Sequence, residues 1–508
     1  MMSHHVLQNG SDIRGIAIAT DELAVNLTPA AVIKIVHGLV HWLCQDETLH
    51  KVYQEGQLTI GIGRDSRLSG PSLVEAFTKE AVRLGIQVID FGLATTPALF
   101  MSTQYEEFSC HAGVMVTASH LPYYFNGIKI FSQKGGAEHE DIAFILENDE
   151  VLPTQENGTV RSEDLLTPYA ADLVGKIRLA NQGKEEPLKG LHIIVDAGNG
   201  AGGFFADKVL RVLGANTNGS QFLEPDGTFP NHIPNPDNKE AMASIQAAVL
   251  KHQADLGIIF DTDVDRAALV TQSGEILNRN NLIAVLSQII LQEHPGTSIV
   301  TNSPTSEHLK RFIEELGGKQ IRYISGYRNV INKAIHTNQE GIDCQLAIET
   351  SGHAAFKENY FLDDGTYAAA KILMLLPCLQ AEGRSLDDLI ARLKQPVETQ
   401  EVRFKLEVPD YRALGEQVIA DLQAQTIDGF HFNPENEEGV RFDVTSPYGD
   451  GWFLLRMSLH EPLLVLQVEN DQAGYIVPIL KRLSAFLTTY PLVNQVQLQA
   501  LIHQAYTQ

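Results

Sequence analysis

The sequence predicts an α/β protein of several domains, and three observations lead there. The chain has 508 residues, more than one hydrophobic core comfortably supports, which gives roughly three or four domains. Three stretches then repeat one plan: an apolar strand, a polar or glycine-rich turn, an amphipathic helix ending near Leu-Gly, and a second strand. They are LTIGIGRDSRLSGPSLVEAFTKEAVRLGIQVIDFG at 58–92, LHIIVDAGNGAGGFFADKVLRVLGANTNGSQFL at 191–223 and TSIVTNSPTSEHLKRFIEELGGKQIRYISG at 297–326. Their helix-ending glycines, Gly85, Gly214 and Gly317, are separated by the length of a small domain, not by a solenoid repeat. Apolar residues recur at three and four spacing in each helix, and the strand-helix-strand order predicts mainly parallel sheets covered by helices. Third, residues 399–508 lack the unit and alternate strands with helices, which predicts a smaller α+β domain. Polar stretches at ENGTVRSED, after SGEILNRN and at KQPVETQE mark the junctions. The expected domains are 1–158, 159–280, 281–397 and 398–508.

Composition narrows the class. Apolar residues make up 44% of the chain, as in ordinary globular proteins, and no run approaches the roughly 20 apolar residues of a membrane span. The start MMSHHVLQNGSDIRG has no basic segment followed by an apolar one, so no signal peptide is expected. Cys44, Cys110, Cys344 and Cys378 lack C-x-x-C spacing, which argues against a zinc site or a disulfide framework and fits a reducing cytoplasm. A formal net charge of -25 makes the bulk surface repel nucleic acid and acidic lipid. The expectation is a cytoplasmic monomer or dimer with a small-molecule partner and neither nucleic acid nor membrane. An anionic substrate would need a local basic pocket against that field.

Four stretches carry candidate chemistry. In GVMVTASHLPYYFNGIK, residues 113–129, an apolar run ends at Ser119 and His120. Ser119 is either a turn serine capping the next element or a nucleophile held at the carboxyl edge of a sheet. A lipase-type elbow is excluded, because Thr117 and Leu121 stand where G-x-S-x-G needs glycine. In LGIIFDTDVDR, residues 256–266, an apolar strand runs into Asp261, Asp263 and Asp265. Three carboxylates at one strand end repel one another unless a cation neutralises them, and a hard divalent ion such as Mg²⁺ meets that need. An EF-hand is excluded by Arg266 and Gln272 at its glycine and glutamate positions. In LAIETSGHAAFKEN, Glu349, Ser351 and His353 follow an apolar strand; a carboxylate and a hydroxyl two residues apart can grip neighbouring sugar hydroxyls or simply form a surface turn. In GWFLLRMSLHEPLLVLQVEN, Arg456 and Ser458 stand where a strand gives way to a turn. The arginine fork suits phosphate oxygens and the hydroxyl can complete an anion nest, or the pair makes a rim salt bridge. A fifth stretch, DAGNGAGG, matches G-x-G-x-x-G at Gly198, Gly200 and Gly203, but the acid required further on is not placed, Glu224 lying too far along. These glycines read as tight packing.

Taken in this order, the four stretches resemble the α-D-phosphohexomutase family. TASHLPYYFNGIK is similar to its phosphoserine loop, DTDVDR to its metal loop, ETSGH to its sugar loop and RMSLHEP to its phosphate loop, and EPDGTFPNHIPNP at 224–236 also matches a family segment. The departures are Leu121 for the usual Asn, Thr262 and Val264 for glycines between the metal aspartates, Ile348 for Gly, and His460 for Thr. The resemblance implies four domains around a central cleft, three of them similar mixed α/β units and the last a smaller α+β domain. It implies that Ser119 carries a phosphoryl group, that Asp261, Asp263 and Asp265 hold Mg²⁺ together with a phosphoserine oxygen, and that Lys129 and Arg14 handle protons and contact phosphate near Ser119, with His120 an orienting neighbour. Glu349, Ser351 and His353 would bind the sugar; Arg456, Ser458, Leu459 and His460 would bind phosphate; Arg266 and Arg328 would line the cleft. The implied reaction interconverts a hexose 1-phosphate and a hexose 6-phosphate, of mannose or glucose, through a hexose 1,6-bisphosphate.

Three other readings stand beside it. A phosphoglucosamine mutase is the near alternative, although that branch usually carries Gln where Thr350 sits. A haloacid-dehalogenase-type phosphatase would use Asp261 as nucleophile and Asp263 as acid/base, with Lys357, Asp363 and Asp364 as other parts, but leaves the Ser119 and Arg456 loops unexplained. A catalytically silent sugar-phosphate sensor would keep Arg456, Glu349 and Ser351 without needing Ser119 and the triplet.

Overall fold

The computed structural model describes residues 4–459 and 461–504, with side chains from residue 6 onward. The chain divides into two compact units, Met1–Ile289 with Ser351–Ile390, and Ile290–Thr350 with Ala391–Gln508.

The first unit contains an eight-stranded sheet in the order Gln8–Asn9, Asp12–Ile16, Phe125–Ser132, Ala112–Val116, Thr59–Arg64, Gln87–Leu93, Thr159–Ser162, with Gly135–Gly136 added against Phe125–Ser132. The first repeat forms as its pattern predicts: helix Gly70–Arg83 joins Thr59–Arg64 to the parallel strand Gln87–Leu93. Ala112–Val116 lies parallel on the other side of Thr59–Arg64. The expectation of mainly parallel sheets needs correcting, because the chain next reverses: Phe125–Ser132 returns antiparallel, with Val116 opposite Ile128. A parallel crossover needs a dozen or more residues and usually a helix, and the segment 117–124 is too short for one. The core beneath includes Ile60, Ile62, Phe77, Val114, Ile128 and Ile142.

A second sheet in the same unit runs Ile276–Leu277, Ala267–Thr271, Leu256–Phe260, Ile193–Asp196. Here too a hairpin replaces the expected crossover, Phe260 pairing antiparallel with Ala267 across DTDVDR. The second repeat is eroded. Its helix includes a π-helical stretch, Phe205–Leu210, and its returning chain makes isolated parallel bridges, His192 with Asn216 and Asp196 with Gln221. Gly202 and Gly203 weaken the helix start, and Asn216, Asn218 and Gly219 are poor strand formers. The packing role read for the glycines is visible: a Cβ on Gly200 would lie 2.7 Å from the Thr262 carbonyl oxygen, and one on Gly203 2.2 Å from that of Leu223. Further along, Asp364 caps helix Gly365–Ala381 by accepting from the Tyr367 amide.

In the second unit the third repeat forms as predicted, Ser298–Asn302 lying parallel to Lys319–Tyr323 after helix Glu307–Glu315, and parallel to Cys344–Ile348. The C-terminal part is the expected α+β domain, a five-stranded antiparallel sheet in the order Glu398–Lys405, Leu463–Asn470, Gly451–Met457, Val440–Val444, Phe430–Phe432. Helices Tyr411–Gln423, Ile476–Leu487 and Val496–Gln504 accompany it around a core that includes Phe404, Phe442, Phe453, Leu466 and Ile479. Among the described residues no helix is long and apolar enough to cross a membrane.

Candidate active site

Both hairpin loops of the first unit deliver polar groups to one place. Ser119 has a left-handed backbone, φ 51, a conformation that costs a side-chain-bearing residue energy and persists where its surroundings hold it. What holds it is Arg67, whose guanidinium is fully buried beneath the loop. Arg67 donates to the carbonyl oxygens of Ser119 (2.6 Å), Leu121 (2.6 Å), Pro122 (2.8 Å) and Phe125 (2.9 Å), and its Nε donates to Asp65 Oδ2 (3.2 Å). Asp65 also accepts from Thr117 Oγ1 (2.6 Å), and that hydroxyl in turn accepts from the Ser119 amide (3.0 Å). The guanidinium lies 5.2 Å from the centroid of Phe229, within the EPDGTFPNHIPNP segment singled out by sequence. The sequence reading passed over Arg67; its signal was a charged D-x-R directly after an apolar strand.

The Ser119 hydroxyl donates to Asp261 Oδ2 at 3.0 Å, with Arg266 Nη2 and His120 Nδ1 each at 3.3 Å. One carboxylate oxygen from each of Asp261, Asp263 and Asp265 lies within 4.8 Å of the other two, and all three residues are buried. Lys129 Nζ bonds Asp263 Oδ2 (2.9 Å) and Asp265 Oδ2 (2.5 Å), and Arg266 Nε bonds Asp261 Oδ2 (3.2 Å). Arg14 stands on the strand that pairs with the Lys129 strand, opposite Gly127, and its Nη2 donates to Asp12 Oδ2 (2.9 Å). His353 Nε2 is 3.6 Å from Asp265 Oδ1, and residue 353 bridges to Arg266 through the backbone.

Charge is divided unevenly in this cluster. Burial, then the neighbouring Asp265 and Asp263, push the Asp261 carboxyl well above its usual range. Burial works the same way on Asp265, but Lys129 and His353 outweigh it and hold Asp265 well below. Burial and the nearby Arg266 and Arg14 drive His120 well down, so its ring is neutral. For His353 the lowering by burial is overcome by Asp265, and its pKa is raised. Three adjoining buried carboxylates, balanced by Lys129, Arg266 and His353, thus do not share ionisation equally.

Val264, where the resembling family carries glycine, has φ 68 and is fully buried. A β-branched residue is a genuine outlier there. Relief of about 1–3 kcal/mol of strain would offset the loss of about 1.5–3 kcal/mol of burial, so Val264→Gly is expected to leave the urea midpoint nearly unchanged. Val270→Gly, equally buried but in strand Ala267–Thr271, should lower it clearly. Equal losses in the two variants would show that the loop stores no strain.

The turn after strand Cys344–Ile348 sends its polar groups to different partners. Glu349 Oε1 accepts from the Gly326 amide (2.7 Å) in the second unit, while Ser351 Oγ meets His353 Nδ1 (2.9 Å) in the first. In the second unit Arg456 Nη1 lies 3.8 Å from Glu438 Oε1 and donates to the Met457 carbonyl (3.2 Å). Glu438 Oε2 accepts from Ser325 Oγ (2.7 Å) and from Ser303 Oγ. Glu438 is thus a second residue that the motifs did not reveal, joining Arg456 to the Ser325–Gly326 turn. Arg328 Nη2 bonds Asn332 (3.2 Å), the Ser458 amide bonds the Leu463 carbonyl (2.9 Å), and Leu459 is exposed. His460 lies outside the described residues.

A serine hydroxyl set among three carboxylates and buried cations, on hairpins of repeated α/β domains, defines a site of the group-transfer class. Comparison with known proteins makes this specific. Phosphoglucomutase/phosphomannomutase α/β/α domain I matches residues 5–149, domain II matches 167–274 and domain III matches 278–396. A phosphomannomutase/phosphoglucomutase of Pseudomonas putida is 34% identical over 422 residues, 82% of this chain and 84% of that one. A phosphoglucomutase of Neisseria gonorrhoeae is 32% identical over 450 residues, 87% of this chain and 91% of that one. A crystal structure of a phosphoglucomutase/phosphomannomutase family protein from Burkholderia thailandensis superposes with a TM-score of 0.78 at 26% identity, covering 97% of this chain and 99% of that one. The chain belongs to the phosphoglucomutase/phosphomannomutase family, and its mixed α/β architecture is that of the phosphohexomutases.

Proposed function

We propose that the protein interconverts the 1-phosphate and 6-phosphate of a hexose, mannose or glucose, by transfer through Ser119, within four domains divided near residues 158, 280 and 397. The observation that carries this reading is the Ser119 hydroxyl 3.0 Å from Asp261 within the buried triplet. Relatives named phosphoglucomutase and phosphomannomutase/phosphoglucomutase support it. Asp261, Asp263 and Asp265 fit a hard divalent ion: all are oxygen donors, and Oδ1 of Asp263 is buried without a hydrogen-bond partner. Bound there, Mg²⁺ would supply positive charge at an oxygen of the transferring phosphoryl group.

The chain's own residues account for the rest. Arg67 fixes the loop backbone so that Ser119 Oγ is presented towards Asp261 and Arg266. In the resting form Ser119 is a phosphoserine. A free hydroxyl of the sugar phosphate attacks its phosphorus, the new O–P bond forms, and the bond to Ser119 Oγ breaks. The attacking hydroxyl's proton passes to the neutral His120, whose Nδ1 lies 3.3 Å from Ser119 Oγ, and on to the departing serine oxygen, while the Lys129 ammonium, bonded to Asp263 and Asp265, offsets charge. Arg14 and Arg266 offset phosphoryl charge. The resulting hexose 1,6-bisphosphate turns end for end, its other phosphoryl group returns to Ser119, and the proton is given back. Arg456 and Ser458, with Leu459 and His460, hold the phosphate that is not being transferred, while Glu349, Ser351 and His353 hold sugar hydroxyls and Arg328 supports them.

Mapping covalent phosphate on the purified protein, alongside assays with mannose, glucose and glucosamine 1-phosphates, tests the reading. Phosphoserine at 119 with mannose or glucose turnover is expected. Acyl phosphate at Asp261, or no covalent phosphate with no turnover, would overturn it. Because one arginine serves both orientations of the bisphosphate, Arg456→Lys is expected to weaken the 1-phosphate and 6-phosphate together. A lost charge-assisted fork contributes about 1.5–3 kcal/mol, or about one to two decades in affinity. Calorimetry on unphosphorylated enzyme reads both; loss for one isomer alone would rule out the shared role.

A further inference from the structure

Outside all the motif stretches, one neutral side chain reaches the aspartate triplet. Thr96 is buried, 3% exposed, at the start of helix Thr96–Met101, where Thr95 caps the helix by accepting from the Ala98 amide. Its position is therefore set by the helix and by Pro97 behind it. From there its amide donates to the Asp263 carbonyl (2.9 Å) and its hydroxyl donates to Asp263 Oδ2. The hydroxyl's partner lies 167 residues further along the chain. Asp263 Oδ2 thereby has two donors, Thr96 and Lys129, while Oδ1 has none and is buried.

We infer that Thr96 is a positioning residue for a divalent cation, holding Asp263 by its backbone and by Oδ2 so that Oδ1 is kept for the metal. The inference rests on the proposed reading of the triplet as the ion's site. The physical reason lies in the difference between the two donors on Oδ2. A cation entering the triplet repels the Lys129 ammonium, which is shared with Asp265 and sits on a flexible stem. The Thr96 hydroxyl is neutral and anchored at a helix start, so its bond to Oδ2 survives metal binding. Donors of this kind, behind a ligating carboxylate, are worth about 10–100-fold in metal affinity.

Titrating the full-length protein with Mn²⁺ by electron paramagnetic resonance, and displacing it with Mg²⁺, reads the effect without turnover. Thr96→Val, nearly isosteric, is expected to weaken Mn²⁺ binding by about 10–100-fold. Thr96→Ser, which keeps the hydroxyl, should stay close to wild type, and the metal-free melting temperatures of the two variants should differ little. Binding by Thr96→Val within twofold of wild type would overturn the inference. So would equal weakening in Thr96→Val and Thr96→Ser, since the hydroxyl would then not be the agent. A wild type whose Mn²⁺ binding is unchanged by Asp263→Asn would instead remove the metal reading itself.

Discussion

Ser119→Ala is expected to lose hexose phosphate interconversion by at least about four orders of magnitude, the scale on which removing a covalent nucleophile acts. On the proposed mechanism the group resides on this oxygen between half-reactions, and neighbouring side chains do not take its place. His120, with Nδ1 3.3 Å from Ser119 Oγ, is assigned to the proton, and Asp261 is the partner of that hydroxyl. Folding should change little. Asp261 Oδ2 keeps Arg266 Nε at 3.2 Å when the hydroxyl goes, and the Arg67 bonds are to backbone carbonyls, which alanine retains. A single neutral hydrogen bond is worth about 0.5–1.5 kcal/mol. A coupled assay of both isomers, with phosphate mapping of the same sample, checks this. Turnover near wild type in a variant free of wild-type enzyme would sink the assignment of Ser119.

The residues proposed to carry the chemistry were legible in the sequence because each lies in a short run whose composition clashes with its flank: a hydroxyl, or three carboxylates, directly after an apolar strand. The topology presenting them was less so. Ser119 and the aspartates sit in antiparallel hairpin loops, whereas the repeated strand-helix-strand pattern argued for parallel crossovers. The pattern of one strand does not reveal the direction of the next, and only the shortness of 117–124 and 261–266 carried that information. The residues that hold the site were less legible still, Arg67 showing only as a D-x-R after an apolar strand. Thr96 and Arg67 are single polar positions whose partners lie 167 and 52 residues away, and periodicity is blind to such pairs. Glu438 is hidden in the same way, its hydroxyl donors Ser303 and Ser325 lying 135 and 113 residues before it.

Arg67→Met is expected to be the most destabilising single change near the site, by about 3–5 kcal/mol, the cost of removing one partner of a buried ion pair. Methionine fills much of the volume, so the loss is electrostatic and not a cavity. Asp65, fully buried, would lose its cation and keep the Arg67-position amide and the Thr117 hydroxyl. Four carbonyl oxygens would lose a donor, among them that of Ser119, and the left-handed Ser119 would lose what restrains it. The pH dependence gives a sharper signature. Burial already raises the Asp65 carboxyl despite Arg67, and without the guanidinium it must rise further. A carboxyl raised above its unfolded value binds protons more tightly in the folded state, so it contributes stability that is lost as pH rises through the folded pKa. The deficit of Arg67→Met relative to wild type should therefore shrink as the pH is lowered from about 8 towards 5. Replacing both partners, as Asp65→Asn with Arg67→Met, should recover part of the loss, because no charge is left buried alone. Urea midpoints at the two pH values decide it. A deficit under about 1 kcal/mol, or one that widens in acid, would mean that Arg67 does not hold the loop through its charge.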